Sequence, residues 1–541
     1  MKIINGNIID VVNREIFPGE IVIENKKISK IVKKRHIKSS QYILPGLIDS
    51  HVHIESSMLT PGRFAQLAVK HGTVATVSDP HEIANVLGID GVNYMINDGK
   101  KVPFKFYFGA PSCVPATPFE TSGAILGINE VSELLEREDI KYMSEMMNFP
   151  GVINNSDDVL EKLNIADKLG KPVDGHAPGL RGEPLKSYIN AGISTDHECY
   201  SLEEAEEKIA LGMYVQIREG SAARNFDVLC PLIDKFPGKI MLCSDDLHPD
   251  DLSKGHINRL IKTGLSKGLD IFNLLRAVTL VPKFHYGLDT GLLRKGDPAD
   301  LTVIDNLQNF NVKETWVNGE KVFENGKVLF GYKNPEIINN FYSVKINLAD
   351  LKVEDKGSKI RIIRAYDGDL LTGEEIIEPK VIRGEVLSDA SRDIAKIVVL
   401  NRYKPAKPVV GFITGFGLMR GAFASSIAHD SHNLIAIGMD DRDILNALQR
   451  VIDSKGGIAL SDGAVTERLS LDIAGLMSSD DPEKVASAYA NLNNKASGLC
   501  TKIKAPFMTL AFMALLVIPE LKISDRGLFN VKDFKETSLF V

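Results

Sequence analysis

An α/β architecture, a TIM-type (β/α)8 barrel with extra domains at both flanks, is what this sequence predicts, on three observations. Between residues 47 and 285, eight short apolar runs alternate with amphipathic stretches, the pattern that such a barrel requires. Nearly every run ends at its C-terminal edge in His, Asp or Glu, the edge where barrels of this kind build their sites. Strand-like segments flank that region on both sides, and a long segment of different character follows.

The elements follow in order. Residues 1–46 hold "KIINGNIIDVV" and "EIVIENKKISKIV", split by the turn-forming "FPGE" and "ENKK". The same character returns in "ADLTVID" and "VKETWVNGEKVFENGK", so 1–46 and 286–335 are expected to build one composite β domain. The barrel strands over 47–285 are read in "GLIDSHVH", "TVATVSD", "FKFYFGA", "KYMSEMM", "KPVDGHA", "ISTDHE", "MYVQIRE" and "KIMLCSDD". Helical patterns such as "SLEEAEEKIALG" and "NVLGIDGVNYMINDG" lie between them. Residues 345–541 are expected to form a separate C-terminal α+β domain: "SVKINLADLKVEDKGSKIRIIRAYDG" alternates like a strand, and "VVGFITGFGLMRGAFASSIAHDSHNLIAIG" is apolar and glycine-rich. The run "FMTLAFMALLVI" is shorter than the ~20 residues that span a bilayer and reads as a core helix.

Composition narrows the function classes. The 541 residues are 44% hydrophobic and 25% charged, as in an ordinary globular protein. The net charge of −7, with no basic run longer than "KKRHIK", argues against a nucleic-acid scaffold. No signal peptide is read at the N-terminus. The five cysteines lack C-x-x-C spacing and suit a reducing cytoplasm. A small-molecule partner is therefore expected, with neither nucleic acid nor membrane, and a homo-oligomer is left open.

The polar strand ends carry the chemistry. Strand side chains alternate, so H-x-H at the end of "LPGLIDSHVH" aims both imidazoles to one side. Alone, that pair decides nothing. Strand 1 offers His51 and His53, strand 4 Glu145, strand 5 His176, strand 6 His197 and strand 8 Asp245. Four imidazoles and two carboxylates at one barrel mouth suit two divalent metals, with Mn2+, Fe2+ and Zn2+ all compatible with such donors. A carboxylate between two ions would hold their charges together. Singly, His176 or His197 would read as a hydrogen-bonded core histidine, and Glu145 as a solvated helix cap.

"PGLIDSHVH", the histidines of strands 5 and 6, the strand 8 aspartate and "KGDPADLTVID" resemble the amidohydrolase superfamily. More narrowly, "SDPHEIANVLG", "SEMMNFPGVI", "DGHAPGL", "TDHE", "REGSAARN", "CSDDLHPDDL", "HDSHNLIAIG" and "LDIAGLMS" resemble the adenine deaminase family across essentially the whole chain. The resemblance implies hydrolysis of adenine to hypoxanthine and ammonia at a metal-dependent barrel. Two divalent ions are implied, Mn2+ or Fe2+ ahead of Zn2+. Many members of the superfamily bridge their metals with a carboxylated lysine on strand 4; this chain has none there, and the resemblance puts Glu145 in its place. Asp245 is expected both to ligate and to shuttle the proton.

Other residues carry two readings. His81 and Glu82 could touch substrate, or "DPHE" could be a helix start with Asp79 capping and Pro80 at the first position. Arg218 and Glu219 could contact the purine or seal the barrel as an ion pair. His71, His36 and His285 read as packing or surface residues, and His248 and His256 stay open. In "ASSIAHDSHNLIAIG", the loop is expected to close over the metal site, with His429 or His432 contacting substrate or bound water. A cyclic-amide hydrolase of the dihydroorotase or hydantoinase kind is the alternative, since the superfamily shares its metal donors.

Overall fold

The computed structural model describes residues 1–34, 39–342 and 345–541. His36 and most of "KKRHIK" lie outside the described residues, as do Ser343 and Val344. The chain divides into two compact units, residues 1–80, 93–112 and 127–333 in the first, and 81–92, 113–126 and 334–541 in the second.

The first unit contains the eight expected barrel strands. They are β1 (Leu47–Val52), β2 (Thr73–Ser78), β3 (Lys105–Ala110), β4 (Ile140–Met146), β5 (Val173–Gly175), β6 (Thr195–Asp196), β7 (Tyr214–Arg218) and β8 (Ile240–Cys243). β1 to β5 and β6 to β8 form two parallel runs. A parallel bridge between Val173 and Ile193 joins β5 to β6, and one between Val52 and Asp245 brings β8 back to β1. Every residue of β1 and β2 is buried, as parallel strands covered on both faces require. The helix Leu202–Ala210 starts where its sequence says it should: the Ser201 side chain accepts from the Glu204 N–H.

Both flanks of the barrel feed one eight-stranded sheet. Its order is Lys327–Val328, Glu320–Glu324, Val312–Val317, Leu301–Ile304, Tyr42–Pro45, Lys2–Asp10, Glu15–Glu24 and Lys27–Lys33. Tyr42–Pro45 is the seam, parallel to Lys2–Asp10 and antiparallel to Leu301–Ile304. Ile4 and Ile8, on the same side by the period of two, pack with Ile21, Ile43, Leu301 and Trp316. Each such side chain contributes roughly 1.5–3 kcal/mol of burial.

The second unit is built on an eight-stranded sheet in the order Thr372–Ile377, Ile360–Ala365, Val409–Thr414, Ala395–Leu400, Leu434–Gly438, Ala422–Ser425, Gly457–Asp462 and Val465–Ser470. The helix Asp441–Asp453 covers it, capped by Asp440, whose carboxylate accepts from the Arg442 and Asp443 N–H groups. Ile444, Ala447, Leu448, Val451 and Ile452 form its buried stripe against Val398, Ala424 and Ala436. The segments 81–92 and 113–126, expected within the barrel range, are tied into this unit by hydrogen bonds. Asn340 donates to the Val86 carbonyl, Asn433 to that of Thr121 and Ser524 to that of Phe119.

Two local expectations change. Residues 507–518 do not make one core helix: the helix ends at Ala511, a 3-10 turn covers Phe512–Ala514, and Leu515 is extended. A run buried nearly all round carries no amphipathic period to hold a helix on one face. The first strand of the C-terminal segment is also shorter than "SVKINLADLKVEDKGSKIRIIRAYDG", since among its described residues only Ile360–Ala365 is strand. Among the described residues, no helix is long and apolar enough to cross a membrane.

Candidate metal centre

His51 is the next-to-last residue of β1 and His53 follows its last, Val52, so the two rings point the same way. Their Nε2 atoms lie 3.2 Å apart. The Nδ1 of His53 is 3.3 Å from the Asp79 carbonyl oxygen, which makes Nδ1 the donor and turns the Nε2 lone pair inward. Asp245 meets the pair from β8, with Oδ1 3.5 Å from His51 Nε2 and 3.2 Å from His53 Nε2. Its backbone is left-handed, at φ 54°, a conformation that costs a non-glycine residue roughly 1–2 kcal/mol. Two hydrogen bonds to β1 hold it there: Asp245 N–H donates to the His51 carbonyl and His53 N–H to the Asp245 carbonyl.

Glu145, next to last in β4, faces three histidines. Its Oε1 is 3.4 Å from His53 Nε2, while Oε2 is 2.7 Å from His176 Nδ1 and 3.2 Å from His197 Nε2. His176 follows Gly175, where a Cβ would stand 2.3 Å from the Thr195 carbonyl oxygen, so only glycine lets β6 approach this closely. The His197 ring stacks on that of His51 at 4.1 Å between centroids. All six side chains read from the strand ends therefore stand together, and all are buried.

The electrostatics are those of a cation site. Burial pushes the His51 imidazole down, but the Asp174 and Asp245 carboxylates outweigh it and hold its pKa up at about 10. Burial likewise opposes protonation of His176, yet Glu198 and Glu145 raise it to about 9. Burial would raise Glu145, but His176 and His197 hold it well below the usual carboxylate range. Asp245 is depressed in the same way, by Arg218 and then by His51 and His53. Buried, ionised carboxylates facing inward imidazole nitrogens are a donor set that fits divalent metal.

Three acidic residues beside this set escaped the sequence reading. Glu198, in "TDHE", binds Arg218 through both oxygens, at 2.6 and 2.9 Å, and its Oε1 lies 3.6 Å from both His176 Nδ1 and His197 Nε2. Arg218 also donates to Asp245 Oδ2, so of its two readings the structure realises the ion pair. Asp174 accepts from the Tyr286 and Thr195 hydroxyls and sits 3.9 Å from His51 Nδ1. Asp49 accepts from Ser244 and His256. A signal was present for two of them. Asp174 and Asp49 each stand two residues before a candidate ligand histidine, His176 and His51.

The remaining candidates lie elsewhere. Glu219 is a quarter exposed and sits 3.8 Å from the Arg224 guanidinium, apart from the six donors. His71 bonds the Leu252 carbonyl, and His285 packs on Tyr214, as packing residues do. His248 heads the helix Pro249–Lys254.

His81, Glu82, His429 and His432 belong to the second unit and stand close to one another. The loop carrying both later histidines joins the strands Ala422–Ser425 and Leu434–Gly438. His429 Nδ1 lies 2.7 Å from Glu82 Oε1, and His432 Nε2 bonds Glu82 Oε2. His81 Nε2 is 3.6 Å from Glu82 Oε1. The helix His81–Leu87 starts directly after Pro80, so "DPHE" is a helix start as well as a source of site candidates. The His429 ring stacks on Phe512 at 4.5 Å. Burial would raise Glu82, but His429, His432 and His81 keep it well below its ordinary value. Burial lowers His432 to about 4, and burial with the Asp430 charge lifts Glu120 to about 8.

Comparison with known proteins agrees with this geometry. The amidohydrolase family model matches residues 42–322, and that of the adenine deaminase C-terminal domain matches 369–535. The adenine deaminase of Methanosarcina mazei is 55% identical with all of both chains covered. That of Salinibacter ruber is 50% identical over 99% of each, and that of Borreliella burgdorferi 45% over 98% of each. The chain belongs to the amidohydrolases and, within them, to the adenine deaminase family.

Proposed function

We propose that this chain hydrolyses adenine to hypoxanthine and ammonia, with His51, His53, Glu145, His176, His197 and Asp245 holding two divalent ions, Mn2+ or Fe2+ ahead of Zn2+. The observation that carries the two-ion reading is Glu145, one oxygen toward His53 and the other toward His176 and His197. Bound there, such ions acidify water and so supply a strong nucleophile at neutral pH. In balance, a C6–O bond forms, the C6–N bond breaks, N1 gains a proton and the amino group leaves as ammonia. Asp245 takes the proton from the attacking water and returns it to the departing nitrogen. Arg218 supports this role by fixing Oδ2, while Oδ1 faces the histidines.

A cyclic-amide hydrolase would use the same donors, but the C-terminal domain match and the full-length relatives favour deamination. An ammonia assay with adenine and adenosine in parallel tests the reading. Adenine should be deaminated, and adenosine turned over at less than about a hundredth of the efficiency, the scale of a pocket that rejects a misfitting group. Comparable efficiency on adenosine would end the free-base reading, and a ring-opened product would end deamination itself.

His429 and His432, with Glu82 between them, form the proposed substrate-contacting group, and Glu82 follows the last residue of β2 by four positions in the chain. Replacing either histidine with Ala should lower turnover by about 10²-fold or more, as loss of an acid–base group does. Metal content should stay unchanged, and its loss would make the histidine a ligand instead. The cytoplasm is the proposed compartment, supported by five buried cysteines that lack C-x-x-C spacing.

A further inference from the structure

Behind the metal donors lies a buried network that the proposed reaction does not use. Asp49, two residues before His51 on β1, is fully buried. Its Oδ1 accepts the Ser244 N–H at 3.0 Å, and its Oδ2 accepts the Ser244 hydroxyl. The same Oδ2 lies 2.8 Å from His256 Nε2, and His256 Nδ1 lies 2.8 Å from the Thr73 hydroxyl. The carboxylate can only accept, so Nε2 carries a proton, and Nδ1 is hydrogen-bonded to the Thr73 hydroxyl. His256 thus links β1 to the first residue of β2. Its ring, which also packs edge-on to Phe64 at 5.6 Å, is nearly inaccessible to solvent.

Ser244, clamped by Asp49 through both its N–H and its hydroxyl, immediately precedes Asp245. Asp245 is the residue whose left-handed backbone aims Oδ1 at His51 and His53. A strained conformation persists where its surroundings over-determine it, and here the determinants are Ser244 on one side and the β1 backbone on the other. We propose that Asp49 and His256 are positioning residues that hold Asp245 in its ligating and proton-transferring geometry, acting through Ser244. Neither touches the reacting atoms. The role is distinct from packing because it depends on one donated proton, that of His256 Nε2, and not on the bulk of the ring. The inference rests on the proposed metal reading of Asp245.

The test uses full-length, Mn2+-loaded protein competed against a chelator, with the ammonia assay alongside. His256→Ala should weaken Mn2+ retention about 10- to 100-fold, the usual scale for losing a partner behind a ligand. In the same variant kcat should fall and KM for adenine should hold. His256→Gln keeps an N–H for Asp49 and an oxygen for Thr73, and should restore both values to within a few-fold. Wild-type retention and kcat in His256→Ala would overturn the proposal, as would a folded His256→Gln variant as impaired as the alanine one. Should His256→Ala not fold, Ser244→Ala removes a single hydroxyl. It should weaken Mn2+ retention measurably while the thermal midpoint of the metal-free protein stays unchanged, and unchanged retention would equally overturn the proposal. If wild-type protein releases no ammonia from adenine, the functional reading fails while the Mn2+ competition still decides the positioning role.

Discussion

Asp245→Asn should cut the rate of ammonia release by at least the ~10²–10⁴ that separates a positioned acid–base group from its absence. The substitution keeps the size of the side chain and one oxygen able to face His51 and His53. It removes the charge and the basicity. Arg218 then loses one of its two carboxylate partners but keeps Glu198, which grips it through both oxygens, so the buried guanidinium is not stranded. The fold should therefore survive, and elemental analysis should still find metal in the variant. Initial rates on metal-loaded protein read the effect. A folded, metal-loaded Asp245→Asn variant with near-normal turnover would remove the proton-shuttle role and leave Asp245 as a ligand only.

Stripping divalent ions with a chelator should abolish turnover, and Mn2+ or Fe2+ should restore it. The reason is electrostatic as much as chemical. Without cations, Glu145 holds buried negative charge that protons on the surrounding imidazoles must balance, and Asp245 shares its own between those imidazoles and Arg218. Metal that binds the folded chain and not the unfolded one also stabilises it, by about 2.7 kcal/mol at a free concentration a hundred times its Kd. The thermal midpoint should rise on add-back together with activity. His53→Ala should lower metal content, because His53 Nε2 faces both Glu145 and Asp245. Full activity in metal-free protein would refute the reading outright, and His53→Ala with a full metal complement would remove His53 from the ligand set.

The barrel was legible because its signal is local. An apolar run of strand length that ends in His, Asp or Glu announces both a buried strand and the edge at which the site stands. The six donors follow from that edge rule, and the H-x-H pair from the two-residue period of a strand. The flanking sheet was legible too, since two strand-rich segments on either side of an insertion have unpaired edges to satisfy.

What the sequence could not say is which polar groups meet. His256 bonds Asp49 across 207 positions, and His429 bonds Glu82 across 347. Arg218 chooses Glu198 and Asp245 over its neighbour Glu219, which turns to Arg224. The sequence by itself determined the strands, their polar ends and the six candidate donors, because propensity and periodicity act over a few residues. Only the tertiary structure decided the partners, the left-handed turn at Asp245 and the grouping of 81–92 and 113–126 with the C-terminal unit. A buried charge must find its counter-charge wherever closure of the fold brings one within reach, and no local pattern records that distance.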